Sequence, residues 1–427
     1  MMAWLFVIML VLFALGTPIA WSMAAAAAAY MVFGPQVPLH GMVQRMIGGI
    51  DTFPLLAIPF FILAGNLMNT GGITDRLVSF ARTLVGHITG GLAHVSVVAN
   101  MIMAGMSGSG VADAAGTGSV LLPAMEKARY GKGFGAAIVG AASTIGPIIP
   151  PSIPFVIYGS IANVSIGRLL LAGAVPGVLM GLMLMIFVYF IAKRRHYPSE
   201  PRATRAELGR AAWRALPPLG MPAIILGGII GGVMTPTEAA AAGAAYAFTL
   251  GYFVYHELAL RDLGKVVVDS ALSTAAVAII ISAAQPFGWV LTLEQAPQAL
   301  FALFQSVSLS QWQLYLVLNM LFLLVGCFME GIAVLVMTIP VIMPIIQQAG
   351  IDPVHFGVVF TVNSMIGTIT PPVGMIMYVV CALGKVSIGE FSREVWPFLI
   401  ALTIALFLVT YIPSLAMWLP NLLLPAK

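Results

Sequence analysis

The sequence predicts an all-α polytopic membrane protein made of two inverted repeats, each carrying a re-entrant hairpin and a broken helix. Three observations predict it. The composition is overwhelmingly apolar, the loops between apolar runs hold nearly all the positive charge, and the chain repeats itself at an offset of about 221 residues. Of 427 residues, 60% are hydrophobic and 8% charged, against about 25% charged in soluble domains. The natural solvent for that surface is lipid, where a helical span needs about 20 mostly apolar residues. A net charge of +4 does not point to nucleic acid, because there is no basic domain and no aromatic–basic interleaving. Cys327 and Cys381 lie in apolar stretches with no CxxC or Cys/His cluster. Neither a disulfide framework nor a transition-metal site is expected.

The apolar N-terminus lacks a basic n-region and exceeds a signal-peptide core, so 3–34 reads as a first, uncleaved span. Further crossings are expected at 52–69, 134–162, 168–192, 216–233, 237–256, 266–285, 353–384 and 393–420. Two more apolar stretches, 91–126 and 311–349, are interrupted at Gly105-Met-Ser-Gly-Ser-Gly110 and Gly326-Cys-Phe-Met-Glu-Gly331. A glycine-rich break halfway predicts two half-helices that enter and leave on the same side. Amphipathic segments 73–88 and 294–308 read as interfacial helices leading into these hairpins.

Charge supports this topology. With the N-terminus cytoplasmic, the loops 70–90, 126–133, 193–215, 257–265 and 385–394 are inside and hold 16 of the 19 Lys and Arg residues. Only Arg45, Arg168 and Lys427 fall elsewhere. Cytoplasmic loops carry such an excess, and counting either hairpin as a full crossing would destroy it. The C-terminus is then periplasmic.

The repeat is colinear. Ser143-Thr-Ile-Gly146 followed by Pro150-Pro151 matches Ser364-Met-Ile-Gly367 followed by Pro371-Pro372, and Val164-Ser-Ile-Gly167 matches Val386-Ser-Ile-Gly389. Upstream, Gly105 pairs with Gly326 and Pro123 with Pro344. The units start five crossings apart, and an odd shift inverts the second. The chain divides into an N-terminal span and connector (1–51), a first repeat (52–192), a cytoplasmic loop with two linking spans (193–265) and a second repeat (266–427). Inverted repeats with discontinuous helices are typical of secondary transporters, whose sites lie at the repeat interface.

The Ile-Gly-x-x-x-Pro-Pro stretches break their helices, because proline removes a donor and clashes with the preceding turn. Backbone left unpaired in a membrane persists only where protein, water or an ion satisfies it. Sodium takes oxygen ligands, and the candidates are the carbonyls of Ala142, Ile145 and Pro147, the hydroxyls of Ser143 and Thr144, and the tip residues Ser107 and Ser109. By pseudo-symmetry, Asn363, Ile366 and Thr368 with Gly326 form a second candidate site. Against this stands the usual role of Ser, Thr and Gly in membrane helices, which is close packing.

Intramembrane carboxylates are functional by default, which singles out Asp113 and Glu330. With Ser107, Gly108, Ser109 and Thr370 they are the candidate substrate contacts. Glu238, after Thr235-Pro-Thr237, reads as a helix-start carboxylate, and Arg168 as a boundary residue. His87 and His94 have no metal-ligand partner at suitable spacing.

Five motifs then carry a resemblance over essentially the whole chain. They are Gly105-Met-Ser-Gly-Ser-Gly-Val-Ala-Asp113, Ile145-Gly-Pro-Ile-Ile-Pro-Pro-Ser152, Thr235-Pro-Thr-Glu-Ala239, Gly350-Ile-Asp-Pro-Val-His-Phe-Gly357 and Ile366-Gly-Thr-Ile-Thr-Pro-Pro-Val-Gly374. Together they resemble the large membrane subunit of tripartite ATP-independent periplasmic (TRAP) transporters. Glu330-Gly331 departs mildly, since that family often has an acidic residue followed by proline. The resemblance implies an elevator-type transporter in the bacterial inner membrane, importing organic acids such as C4-dicarboxylates, sialic acid or keto acids with sodium. It implies two partners, a small four-span membrane subunit and a periplasmic substrate-binding protein, and no cofactor beyond coupling sodium ions. A self-sufficient sodium–carboxylate symporter is the main alternative. An enzyme is not expected: an intramembrane protease needs a polar catalytic set, and Asp113 has no counterpart aspartate in the second repeat. No Walker A loop supports ATP coupling.

Overall fold

The computed structural model describes residues 2–34, 39–299, 302 and 310–425. No strand occurs among them. Three helices precede the first repeat: α1 (Met2–Ala14), α2 (Ile19–Phe33) and α3 (His40–Ile50). The first repeat holds α4 (Ala57–Thr70), preceded by a 3-10 turn at Phe53–Leu56, then α5 (Ile73–Val85), α6 (Gly91–Ser107), α7 (Gly110–Lys127), α8 (Lys132–Ser143), α9 (Ile153–Ala162) and α10 (Ile166–Arg195). Linking helices α11 (Arg205–Ile230) and α12 (Pro236–Thr249) follow, the latter ending in a π turn at Leu250–Val254. The second repeat holds α13 (Leu260–Leu293), α14 (Gln311–Gly326), α15 (Gly331–Gln348), α16 (Pro353–Gly367), α17 (Met375–Gly384), α18 (Ile388–Tyr411) and α19 (Ser414–Leu423).

Local chemistry sets these boundaries. Thr204–Glu207 and Thr235–Glu238 form capping boxes that start α11 and α12, satisfying orphan amides at each helix start. Glu238 is thus the helix-start carboxylate expected from the sequence. Six helices among the described residues are long and apolar enough to cross a membrane. On one of them, α10, Val178, Leu182, Ile186 and Phe190 stand four residues apart and all are exposed. An apolar stripe turned outward at helical spacing fits lipid rather than water.

Both hairpins and both broken helices form as expected. In the first hairpin Asn100 Nδ2 of α6 donates to Thr117 Oγ1 of α7 at 3.2 Å. In the second, Gln311 Nε2 at the start of α14 reaches the Ala349 carbonyl just beyond α15 at 2.6 Å. Each pair of helices therefore folds back on itself. Residues 144–152 interrupt the first broken helix and 368–374 the second, and the Pro150–Pro151 and Pro371–Pro372 bonds are both cis.

The inversion is visible along α18. Near its start, Glu394 pairs with Arg195 at 2.8 Å, at the end of α10 whose Ala192 packs on Gly90 at the base of the first hairpin. At its other end, Tyr411 donates to the Trp312 carbonyl at 3.1 Å, at the base of the second hairpin. The two hairpins therefore enter from opposite ends of the molecule.

Three expectations change. The single span at 3–34 is two antiparallel helices, since Trp4, Leu5 and Ile8 share a pocket with Ala29, Tyr30 and Phe33. The chain reverses at Gly16, whose φ of +88° suits glycine, and Pro18 caps α2. Both ends of this hairpin lie by the C-terminal end of α13: Phe6 meets Phe287 at 5.7 Å, and Tyr30 bonds Glu294 at 2.5 Å. The crossing 393–420 divides at Ile412 and Pro413 into α18 and α19. Of the two interfacial segments, 73–88 forms α5, whereas most of 294–308 lies outside the described residues. Arg168 proves to be a tether between α10 and the C-terminal helix, donating to the Leu424 carbonyl and to Asn421 Oδ1, both at 2.8 Å.

Candidate functional site

Each hairpin tip is seated on the break of its own repeat. The first tip turns at Gly108, whose φ is +60°. A Cβ there would stand 2.8 Å from the Pro151 carbonyl oxygen, and one on Gly110 would stand 2.9 Å from that of Ser143. Only side-chain-free backbone lets the tip lie this close. The second tip meets its break along Gly326 and Gly367, where a Cβ on Gly367 would be 2.8 Å from three backbone atoms of Gly326. The Val373 amide donates to the Cys327 carbonyl at 3.1 Å and locks that contact.

The caps show how the repeats diverged. Ser109 caps α7 by accepting from the Ala112 amide at 3.4 Å, and Glu330 caps α15 by accepting from the Ala333 amide at 3.0 Å. The two caps occupy equivalent repeat positions, one neutral and one acidic.

The four carbonyls expected as ion ligands are already used. The Ile145 carbonyl accepts from the amides of Ile148 and Ile149, and that of Ala142 from the Ile145 amide. The Pro147 carbonyl accepts from Ser152 Oγ. The Ile366 carbonyl accepts from the Ile369 amide and from Thr370 Oγ1. Ser143, Thr144 and Thr368 spend their hydroxyl protons on the carbonyls of Gly140, Ala141 and Met365. These four carbonyls are thus held in local turns, because buried backbone groups find partners wherever geometry allows. The hydroxyl oxygens retain lone pairs.

Buried side-chain oxygens without a hydrogen-bond partner occur beside each break, and a further one, Ser96 Oγ, lies on α6 away from both. Asp113 is fully buried, and neither carboxylate oxygen is in good hydrogen-bond geometry with a described residue, the Ser107 hydroxyl being the one side-chain group that interacts with it. A Cβ on Gly146 would collide with its Oδ2, so the carboxylate lies against the first break. Ser107 is the polar side chain beside it. Near the second break, Asn363 donates through Nδ2 to the carbonyl and to Oδ1 of Asn319, both at 2.9 Å. With its amide nitrogen fixed in that way, Asn363 Oδ1 is buried without a partner among the described residues. Unpartnered buried acceptors are rare and point to an unseen ion or water. A small cation bound by oxygen fits both.

A cavity of about 430 Å³ joins the two halves. The first tip contributes Ser107 through Gly110, the first break Pro147, the second tip Glu330, and the second break Thr368, with Met365 of α16 beside it. The wall also takes in Ile62, Gly65 and Asn66 of α4, Ser273, Val277 and Ile280 of α13, and apolar residues of α7, α9, α15 and α17. Six expected residues therefore line one cavity: Ser107, Gly108, Ser109, Pro147, Glu330 and Thr368. Asp113 lies behind Ser107 and not on the wall. Ala142, Ser143, Thr144, Ile145, Gly326, Asn363, Ile366 and Thr370 also lie off the wall, in the breaks and their flanks.

Sequence reasoning missed the α4 and α13 wall and the Asn319 partner of Asn363. Asn66 and Ser270, bonded at 2.9 Å across α4 and α13, are isolated polar residues in spans, and that was the one signal available. Asn319, which also donates to Thr410 Oγ1 at 3.1 Å, is a similar case. Among the described residues no cluster of His, Cys, Asp and Glu could hold a metal ion.

A family profile described as the DctM component of the tripartite ATP-independent periplasmic transporter matches residues 6–415. The sialic acid TRAP transporter large permease protein SiaM of Vibrio cholerae is 43% identical over 409 residues, covering 96% of this chain and 96% of that one. The C4-dicarboxylate TRAP transporter large permease protein DctM of Pseudomonas aeruginosa is 41% identical over 391 residues, covering 92% and 91%. The crystal structure of the Alcanivorax borkumensis YdaH transporter superposes with a TM-score of 0.63 at 14% identity, covering 92% of this chain and 96% of that one. That likeness bears on fold alone.

Proposed function

This chain belongs to the DctM-component family of tripartite ATP-independent periplasmic transporters and is a large permease subunit, and from that premise we propose that it imports a small organic acid by sodium symport. A periplasmic binding protein delivers the acid, and a small four-span subunit completes the permease in the bacterial inner membrane. The observation that carries this function is the convergence of both tips and both breaks on one cavity, with an unpartnered buried oxygen beside each break. Asp113 and Asn363 receive the coupling ions, with Ser107, Thr144 and Thr368 nearby. The acid occupies the cavity between the tips. Hairpins and broken helices form the moving body of an elevator, and α4, α11, α12 and α13 form its scaffold. Relatives named for sialic acid and C4-dicarboxylate support an organic anion as cargo.

Loops rich in Lys and Arg are cytoplasmic, which puts the C-terminal end of α13 and residue 425 on the periplasmic side. The α1–α2 hairpin then carries residue 2 to the periplasmic side as well, in place of the cytoplasmic end that a single span would give.

The test is uptake of candidate acids into proteoliposomes holding both membrane subunits, with the binding protein outside. Accumulation is expected only when an inward sodium gradient and the binding protein are both present. Equal accumulation without the binding protein would favour a self-sufficient symporter. Equal accumulation with potassium replacing sodium would remove sodium as the coupling ion.

A further inference from the structure

Far from the transport cavity, the polar face of α5 and the first turns of α11 border an open groove of about 970 Å³. Arg76 and Arg82 of α5, Arg210 and Arg214 of α11, and Arg202 just ahead of α11 all line it. The groove sits where α11 passes from charged to apolar sequence, since no charged residue follows Arg214 up to Ile230.

Four carboxylates also line the groove, and each is accounted for. Glu257 pairs with Arg76 at 2.6 Å, and Arg76 is further pinned 3.9 Å above the Tyr255 ring. Glu200 grips Arg82 through two hydrogen bonds, of 2.6 and 2.5 Å. Glu207 belongs to the capping box with Thr204, and Asp75 lies in the first turn of α5. Both stand at helix starts, whose partial positive charge offsets them. Arg202, Arg210 and Arg214 are left exposed, with no ion pair among the described residues. Arg210 and Arg214 are one helical turn apart, and like charges at that spacing repel. An anion seated between them removes the repulsion.

Guanidinium groups suit a phosphate, whose oxygens take forked hydrogen bonds. The apolar flank selects a phosphate that belongs to a lipid. Trp213 and Leu216, on either side of Arg214 in the chain, are 75% and 57% exposed, and Phe253 and Val254 are exposed just before Tyr255 of the groove. Tryptophan next to arginine at the end of an apolar helix is the pattern of a membrane–water interface. We propose that this groove binds an anionic phospholipid, its phosphate among Arg202, Arg210 and Arg214 and its acyl chains along Trp213 and Leu216. The lipid comes from the cytoplasmic leaflet, the side proposed above for these loops, where anionic headgroups are drawn to juxtamembrane basic residues. It bridges α5, which runs from α4 into the first hairpin, to the scaffold helix α11.

The test is calorimetric titration of the purified two-subunit permease, in neutral detergent at fixed ionic strength. The probes are dihexanoyl phosphatidylglycerol, dihexanoyl phosphatidylcholine and inorganic phosphate. Phosphatidylglycerol is expected to bind at least about 10-fold more tightly than either of the others. Combining Arg202→Gln, Arg210→Gln and Arg214→Gln is expected to weaken it by about 100-fold, and these side chains hold no ion pair whose loss would unfold the chain. Arg261→Gln with Lys265→Gln removes two charges from the exposed start of α13, outside the groove, and is expected to change binding by less than about 2-fold. Phosphatidylcholine binding as tightly would reduce the site to an apolar contact, and inorganic phosphate binding as tightly would make it a site for a free anion. An equal loss in the α13 pair would reduce it to the general charge of that face. Any of these results, or phosphatidylglycerol failing to bind, overturns the assignment and leaves the transport function untouched.

Discussion

Gly367→Ala is expected to reduce uptake by more than about 10-fold in a chain that still inserts and purifies. The new Cβ would stand 2.8 Å from the Cα, carbonyl carbon and oxygen of Gly326. No rotamer change relieves a clash with backbone, so the second tip has to lift from its break. Overpacking of this kind costs about 1–3 kcal/mol, small enough for the fold to survive. The geometry it disturbs, tip against break, is the one that closes both the cavity and the neighbourhood of Asn363. Gly389→Ala is the matched control, because nothing lies within 4 Å of the Cβ it would add. Uptake and size-exclusion profiles of the two variants separate the site effect from misfolding. Equal uptake by both variants would mean that the tip–break contact is not needed for transport.

Asp113→Asn is expected to raise the sodium concentration for half-maximal uptake by at least about 10-fold. An ionised carboxylate inside a membrane protein is costly unless paired, and Asp113 is fully buried with only the Ser107 hydroxyl interacting with it. The coupling cation proposed beside Gly146 and Ser107 would supply the missing charge. Asparagine keeps the shape and loses the charge, so the cation loses its strongest partner while packing against Gly146 persists. The measurement is initial uptake rate against sodium at fixed acid. An unchanged sodium dependence at full rate would remove Asp113 from the ion site.

Much of this architecture was legible because its determinants are local. Gly105–Gly110 and Gly326–Gly331 stop helices in the middle of apolar runs, and Ile-Gly-x-x-x-Pro-Pro stops them again within each repeat. Backbone constraints of that kind act within a few residues and can be read without tertiary information. The fold-back at Gly16–Pro18 was equally local but hidden, since a membrane helix tolerates Gly and Pro and the alanine run that follows continues the hydropathy. Side-chain partners were not legible. Whether a Ser or Thr turns its proton to a carbonyl one turn back, as Ser143, Thr144 and Thr368 do, is decided by rotamer and packing. Asn363 and Asn319 are 44 residues apart, and α4 meets α13 across some 200 residues through Asn66 and Ser270. No period or motif marks such pairs.

Charge movement during transport tests most directly whether both breaks carry coupling ions. Two sodium ions with one monocarboxylate carry one net positive charge per cycle, and 100 mV acting on it supplies about 2.3 kcal/mol. That corresponds to about 50-fold in the accumulation ratio. Potassium–valinomycin potentials clamped across proteoliposomes bearing the complete transporter, at saturating sodium and cargo, provide the measurement. The expected result is uptake of a monocarboxylate that steepens with inside-negative potential. Voltage-independent uptake of a confirmed monoanion would contradict a net two-sodium symport, and with it the assignment of both breaks as ion sites.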